Sequence, residues 1–252
     1  MGQETGPYRI LGRVCCGGFG RAAELAGVKV RALLVTLLLQ ANRAVSLDRI
    51  GQALWEGEPP RSATANIRSF VHRLRADLHD PAHLVSRAGG YELTVPPDGA
   101  DHLRFERLAG AGRASLRAGD PAGAADLLGA ALRQWHGDHA AAGVPRNGPL
   151  RSWLDHLDDE RERVVEDLAE AYLELGESRA ALRDLRNLLG SAPARSRGWA
   201  LCMRAYQMTG ELHHVADVYQ QAEAAYERDL GVPLDSELER LYLRIMAERR
   251  TP

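Results

Sequence analysis

Cysteine, lysine and long apolar runs are scarce in this sequence. Three cysteines among 252 residues, Cys15, Cys16 and Cys202, give neither a disulfide framework nor the spacing of a metal site. The longest apolar run, LLVTLLL at 33–39, is far shorter than the roughly 18 residues that a membrane helix needs. The N-terminus MGQETGPYRI has no apolar core that would form a secretory signal. We therefore expect a cytoplasmic protein with no membrane partner.

The basic residues are almost all arginine, and they are unevenly distributed. Of 32 basic side chains Lys29 alone is lysine, and the formal net charge is −2. Residues 1–99 contain 12 basic and 9 acidic side chains, whereas residues 100–252 contain 20 basic and 25 acidic ones. A small basic region is thus followed by a larger acidic one, which indicates a polyanionic partner for the first region.

The pattern of residues 1–99 predicts a winged helix-turn-helix. We predict a strand at 8–14 and a Gly-rich turn with a weak second strand at 15–25, where GGFG lacks the Gly-Lys-Ser/Thr of a phosphate loop. Helices follow at 30–41, at 46–55 with Ser46 as the cap, and from Ser62 to Leu78. The sequence LVSRAGGYELTV at 84–95 is typical of a hairpin with a tight turn.

The third predicted helix has one apolar stripe and one basic face. Ile67, Val71, Leu74 and Leu78, together with Phe70, would face the core. Because the longer second helix of a helix-turn-helix enters the major groove, the remaining residues are candidates for contact with DNA. These are Arg61, Thr64, Asn66, Arg68, Ser69, His72, Arg73 and Arg75, with Arg87 of the hairpin expected in the minor groove. The alternative is a solvated helix whose arginines pair with Asp77, Asp80 or a nearby Glu.

Residues 100–252 show only helical patterns, arranged as repeated pairs. The phrases LRAGDPAGAADLL, LELGESRAALRDL and YQMTGELHHVADVY each combine a helix end, a Gly-bearing turn and a second helix. This predicts tetratricopeptide-like hairpins. His136 and His139 lack a third metal ligand, and the acidic residues at 155–160 are most simply a solvated helix face. With no nucleophile–base pair or nucleotide loop either, we expect no enzymatic activity, no cofactor and no metal ion.

Three stretches together resemble the Streptomyces antibiotic regulatory protein (SARP) family of transcription activators: KVRALLVTLLLQANRAVSLDRIGQALWEGEPPRSATANIRSFVHRLRADL, LVSRAGGYEL and DHLRFERLAGAGRASLRAGDPAGAADLLGAALRQWHG. The resemblance implies a mainly α protein with a small β component. Its domains would be an OmpR-like winged helix at 1–99 and an all-α, tetratricopeptide-like bacterial transcriptional activation domain at 100–252. We expect the small form of the family, without the ATPase module of larger members.

The same resemblance implies a function. Members bind direct repeats in promoters as side-by-side dimers and recruit RNA polymerase through its sigma factor and core subunits. They switch on secondary-metabolite gene clusters, including those for antibiotics. The polymerase-facing loop would correspond to Trp55, Glu56, Gly57, Glu58, Pro59 and Pro60. The alternative function is a helical-repeat interaction adaptor without sequence-specific DNA binding.

Overall fold

The computed structural model describes residues 7–17, 23–25, 27–78 and 80–248. They form two compact units. The first contains the residues up to Leu108 together with Ala131–Glu160, and the second contains Ala109–Ala130 together with the residues from Arg161 onward. None of the described helices is both long and apolar enough to cross a bilayer.

The first unit begins with a small antiparallel sheet of three strands in the order β1-β2-β3. They are β1 (Tyr8–Arg9), β2 (Cys15–Cys16) and β3 (Ala23–Glu24). The prediction of one strand over 8–14 was too long. The backbone amides of Ile10 and Leu11 donate at 2.9 Å to the buried carboxylate of Asp101, so they cannot continue the ladder with β2. Most of the predicted GGFG turn lies outside the described residues.

Three helices and a second sheet complete the winged helix-turn-helix. The helices are α1 (Val28–Leu38), α2 (Leu47–Leu54) and α3 (Ala63–Asp77). The strands β4 (Val45–Ser46), β5 (Leu84–Arg87) and β6 (Gly90–Leu93) form an antiparallel sheet in the order β4-β6-β5. Asn42 adopts a left-handed φ of 64° after α1, and the Ser46 hydroxyl accepts from the Arg49 amide at 3.2 Å. The predicted cap at Ser46 is therefore present, whereas α1 ends at Leu38, before the predicted stop at Asn42.

Seven further helices follow in the described part of the chain, and their turns repeat the pattern seen in the sequence. They are α4 (Asp101–Arg117), α5 (Pro121–Leu132), α6 (Pro149–Glu174), α7 (Ser178–Ser191), α8 (Ser196–Thr209), α9 (Leu212–Leu230) and α10 (Ser236–Glu248). Gly119, Gly176 and Gly210 end α4, α6 and α8 with φ of 76°, 77° and 75°. Glycine adopts this left-handed conformation without the cost of a Cβ clash, which explains why each predicted hairpin turns there.

The predicted irregular link at 141–152 is held in place by the acidic residues that follow it. The Arg146 guanidinium pairs with the carboxylates of Asp155 and Asp158. Asp158 also accepts from the Ala140 amide at 2.8 Å. The interpretation of this acidic cluster as a purely solvated face was therefore wrong for these two aspartates, because they fasten the link to the start of α6.

Candidate nucleic-acid interface

Helix α3 is anchored in the first unit by a continuous apolar stripe. Ile67, Val71 and Leu74 are at most 1% exposed, and Leu78, which follows the helix, is 6% exposed. Phe70 is half-buried at the edge of the stripe and packs against Trp55, with ring centroids 6.4 Å apart. The predicted inward face is therefore confirmed. With this face fixed, the residues between the stripe positions are directed away from the core.

The outward face of α3 presents basic and polar side chains to solvent. Its exposed members are Thr64, Arg68, Ser69, His72 and Arg73, and Arg61 is exposed just before the helix. Within the described part of the chain, the side chains of these six residues make no hydrogen bond and no ion pair. Asp80, one proposed partner for the arginines, instead accepts from the Ala82 amide at 2.9 Å and lies 3.6 Å from His83. The described structure therefore does not support the alternative of a solvated helix whose arginines pair with carboxylates.

Two other candidates on α3 have structural contacts of their own. The Arg75 guanidinium donates to the carbonyl oxygen of Leu84 at 2.8 Å and to the Ser86 hydroxyl at 3.1 Å. Arg75 therefore joins α3 to β5, a role that the sequence did not indicate. The Asn66 amide donates to the Ser62 hydroxyl at 3.2 Å, one helical turn earlier. A contact of either residue with DNA would use its remaining donors or require a new rotamer.

The hairpin β5–β6 forms a short wing. Its turn consists of Ala88 and Gly89, where Gly89 has a φ of 74°. Gly90 lies so close to β4 that a Cβ there would be 2.0 Å from the Val45 carbonyl oxygen. The two glycines therefore have different roles. Gly89 adopts the conformation that the turn needs, and Gly90 allows the close approach of β4.

Arg87, the predicted wing contact, ends β5 beside an acidic neighbour. Its Nε lies 2.7 Å from Oε2 of Glu92 on β6, and both side chains are on the surface. The hydrogen bond from Arg87 lowers the pKa of Glu92 and keeps it ionised. Glu92 therefore offsets part of the positive charge at the wing, a local effect that the sequence analysis did not anticipate.

The predicted polymerase-facing loop is exposed, and its first residue is held by packing. Residues 56–60 are all exposed, whereas Trp55 is half-buried against Phe70. The ammonium group of Lys29 donates to the Leu54 carbonyl oxygen and lies 5.4 Å from the centroid of the Trp55 ring. Sequence reasoning overlooked Lys29, although its rarity as the lone lysine was a signal. The base of the loop is thus held by a hydrogen bond and a cation–π contact.

No described residues suggest a metal centre in either unit. Among them, no group of three or more His, Cys, Asp and Glu side chains is arranged to hold a metal ion. His139 lies 3.4 Å from Asp158, a carboxylate already engaged by Arg146 and Ala140. The chemistry of the outward face of α3 and the wing is therefore that of a cationic, hydrogen-bonding surface.

Comparison with known proteins agrees with this architecture. The family profile described as "Transcriptional regulatory protein, C terminal" matches residues 24–93, and the profile described as "Bacterial transcriptional activator domain" matches residues 100–246. The transcriptional regulator RedD of Streptomyces coelicolor is 30% identical over 95% of this chain and 70% of its own length. The chain belongs to the SARP family. The family resemblance inferred from the sequence is confirmed.

Other relatives are longer than this chain. The regulatory protein AfsR of S. coelicolor is 34% identical over 97% of this chain, which spans only 25% of AfsR. A solved structure of Mycobacterium tuberculosis EmbR, described as a complex with a low-affinity phosphopeptide, is 27% identical with a TM-score of 0.88. It covers 98% of this SARP-family chain, which in turn spans 66% of that EmbR chain. The predicted fold class, a winged helix-turn-helix followed by a helical domain, is confirmed.

Proposed function

We propose that this SARP-family chain is a sequence-specific DNA-binding transcriptional activator in which α3 enters the major groove. The observation that carries the proposal is the outward face of α3, where Arg68, His72 and Arg73 are exposed without a partner among the described residues. An unpaired guanidinium can bind a guanine edge or a phosphate without first losing an ion pair. The buried stripe beneath it supplies the rigid support that groove recognition needs.

Contacts to phosphates and contacts to bases would have different roles. Arg61, Thr64 and Arg68, near the start of α3, are suited to phosphate contacts that provide affinity and salt sensitivity. Asn66, Ser69, His72 and Arg73 are candidates for reading base edges, each good bidentate pair adding about 1–3 kcal/mol of discrimination. Arg87 would contact the adjacent minor groove, while Arg75 would mainly hold the wing in place through Leu84.

We further propose that the protein binds direct repeats as a dimer. A single winged helix is a small module, and such modules bury only about 600–1,000 Å² of protein surface on DNA. Two side-by-side copies would double the contacts, and half-sites one helical turn apart would present the same face of the duplex to both copies. Membership of the SARP family supports a role in secondary-metabolite gene clusters, including antibiotic biosynthesis.

The loop at Trp55–Pro60 is our candidate for the contact with RNA polymerase, through its sigma factor and core subunits. It is exposed, it carries the acidic Glu56 and Glu58, and its base is fixed by Trp55 and Lys29. A loop held at one end by packing presents its side chains at low entropic cost, which favours docking.

The first experiment is a footprint of the purified protein on the promoters flanking its own gene, at about 50 and 200 mM salt. We expect protection of two or more direct repeats about 10 base pairs apart. Arg73→Ala should lose the footprint, whereas the matched control Arg179→Ala, an exposed arginine of α7, should keep it. Salt-sensitive retention of DNA without a footprint would instead favour the helical-repeat adaptor.

A further inference from the structure

The second unit contains a cavity between α8 and α10 that the proposed function does not use. Its volume is about 590 Å³, within the range of small-molecule sites. The apolar part of its lining comprises Ala200 and Leu201 of α8 and Leu238 and Leu241 of α10. Leu201 and Leu238 are each 2% exposed and belong to the main core of this unit. The cavity floor is therefore apolar and is part of the packed core.

Arginines from both helices surround this floor. Arg197 and Arg204 come from α8, and Arg240 and Arg244 come from α10. The spacing of seven residues on α8 and of four on α10 brings each pair to one face of its helix. Residues 100–252 are acidic as a whole, with 25 acidic and 20 basic side chains. The lining contains four arginines and three carboxylates, a small basic excess that contrasts with the acidic balance of this part of the chain.

Each of the three carboxylates in the lining has a contact within or beside the cavity wall. Glu170 pairs with Arg197 at 2.6 Å. Asp235 accepts from the Glu237 amide at 2.9 Å at the start of α10. Glu237 lies 3.8 Å from Arg240, and both of these side chains are more than two-thirds exposed. A contact this long and exposed contributes little, so Arg240 keeps most of its donor capacity.

Arg204 and Arg244 are the remaining cations of the lining. Both are exposed, and in the described parts of the chain neither guanidinium makes a hydrogen bond or an ion pair. Like charges that line one cleft raise its positive potential, and an anion entering the cleft relieves that repulsion. Guanidinium groups bind carboxylate, sulfonate or phosphate oxygens in a bidentate manner.

We infer that this cavity binds a small anionic molecule with an apolar body. The anionic group would lie between Arg204 and Arg244, with Arg240 nearby, and the aliphatic or aromatic part would cover Leu201 and Leu238. The volume lies within the range of small-molecule sites, and the arginines beside an apolar floor match an anionic group joined to an apolar body. This binding site is independent of the DNA-binding surface on α3.

The test uses the full chain and a matched pair of fluorescent probes. 1-Anilinonaphthalene-8-sulfonate has an apolar ring system and one sulfonate, and N-phenyl-1-naphthylamine is its uncharged analogue. We expect one saturable site for the sulfonate. The double variant Arg204→Gln/Arg244→Gln should weaken its binding at least about tenfold and leave the binding of the neutral analogue unchanged. The control variant Arg179→Gln/Arg183→Gln, on α7, should match the wild type.

A second variant fills the cavity and keeps the arginines. Ala200→Phe should abolish binding of both probes, with thermal unfolding followed by circular dichroism as the check that the variant is folded. Equal losses of sulfonate binding in the Arg179→Gln/Arg183→Gln control and in Arg204→Gln/Arg244→Gln would overturn the inference. A second result would also overturn it: no saturable site for the sulfonate, together with saturable binding of an acidic helical peptide that depends on Arg204 and Arg244. The cavity would then be a protein-docking surface.

Discussion

Arginine has opposite roles on the outward face of α3 in the first unit and at the start of α8 in the second unit. On α3 of the first unit, Arg68 and Arg73 are exposed and have no partner in the described structure. In the second unit, Arg195 donates to Glu162 at 2.9 Å and to Glu166 at 2.8 Å. Glu166 is 2% exposed. The difference depends on the neighbouring element. Helix α6 brings a row of carboxylates to the segment that starts α8, whereas among the residues that the structure describes no carboxylate pairs with Arg68 or Arg73 on α3.

The neighbouring carboxylates thus decide whether an arginine is a cross-link or a binding group. Arg197 extends the cross-link, pairing with Asp167 and Glu170 at 2.6 Å. A buried carboxylate that loses such a partner is left uncompensated, which is costly. An exposed, unpaired arginine can be removed without harm to the fold. Stability measurements and DNA-binding measurements should therefore separate the two groups.

The largest effect is expected from Arg195→Ala. Among the described residues, this change leaves Glu166 with the longer contact to Arg197 at 3.9 Å as its one ion pair. We expect the free energy of unfolding to fall by about 3–5 kcal/mol, which corresponds to a drop of roughly 6–20 °C in Tm. Urea and thermal unfolding followed by circular dichroism measure this. Arg183→Ala, which removes an exposed pair with Asp184, should change neither quantity measurably, and an equal drop in both variants would contradict the contrast.

Two buried titratable groups in the first unit, Asp101 and His102, offer a pH test of stability. Burial raises the pKa of Asp101 to about 6, although the amides of Leu11, Ile10 and His102 and the positive charge of Arg104 oppose the shift. Burial also lowers the pKa of His102 to about 4. The stabilisation from Asp101 is complete below its unfolded pKa of 3.8 and is lost as the pH rises through about 6. The stabilisation from His102 is complete above its unfolded pKa of 6.5 and is lost as the pH falls through about 4.

The contributions of Asp101 and His102 to stability change with pH in opposite directions and largely cancel in the wild type. The variant His102→Gln should therefore reveal the pH dependence that comes from Asp101. We expect the free energy of unfolding of the variant to fall by about 2–3 kcal/mol, relative to the wild type, between pH 4 and pH 6. Urea titrations at four or five pH values measure it. Asp101→Asn is the mirror control and should show the reverse slope. Parallel pH profiles for all three proteins would show that neither group titrates in this range.

Arg73→Ala should leave stability almost unchanged and weaken specific DNA binding. Its side chain lies off the buried stripe and has no described partner, so we expect a change in the free energy of unfolding within about 0.5 kcal/mol. Loss of a bidentate base contact should weaken binding to the protected promoter repeats about 10- to 100-fold. Electrophoretic mobility shift titrations against specific and random duplexes measure the ratio. An unchanged ratio would remove Arg73 from the base-reading set.

The smallest effect is expected at the wing. Arg87→Ala should weaken DNA binding modestly and reduce the slope of log K against log salt by about one. Glu92→Gln removes the carboxylate that pairs with Arg87 at 2.7 Å and should strengthen binding slightly, since Arg87 is then free for a phosphate. Filter-binding titrations at several salt concentrations measure both slopes. If the slope is the same in Arg87→Ala as in the wild type, Arg87 does not contact the nucleic acid backbone.

Elements encoded by local patterns were predicted well. The third helix was expected from Ser62 to Leu78 and extends over Ala63–Asp77, with its buried stripe as expected. The three Gly-bearing turns of the helical repeats also lie where the pattern indicated, at Gly119, Gly176 and Gly210. Apolar periodicity and left-handed glycine positions depend on a few neighbouring residues, which is why they can be read directly. The proposed DNA-contacting residues remain predictions.

Contacts between distant residues could not be predicted in the same way. The strand expected at 8–14 ends at Arg9 because Asp101, some ninety positions away, takes the next two amides. Arg75 was assigned to DNA as part of the basic row, yet its guanidinium holds the wing through Leu84. Arg146 was part of an unassigned link and instead binds Asp155 and Asp158.

The sequence by itself determined the helix and turn pattern, the family, and the separation of a basic first region from an acidic second one. These properties follow from residue type and spacing along the chain. The tertiary structure decided which arginines are free and which are cross-links, because an ion pair forms only where folding brings a carboxylate within about 4 Å. It also decided that Arg204 and Arg244 share one cavity, since α8 and α10 line it together only after the chain has folded.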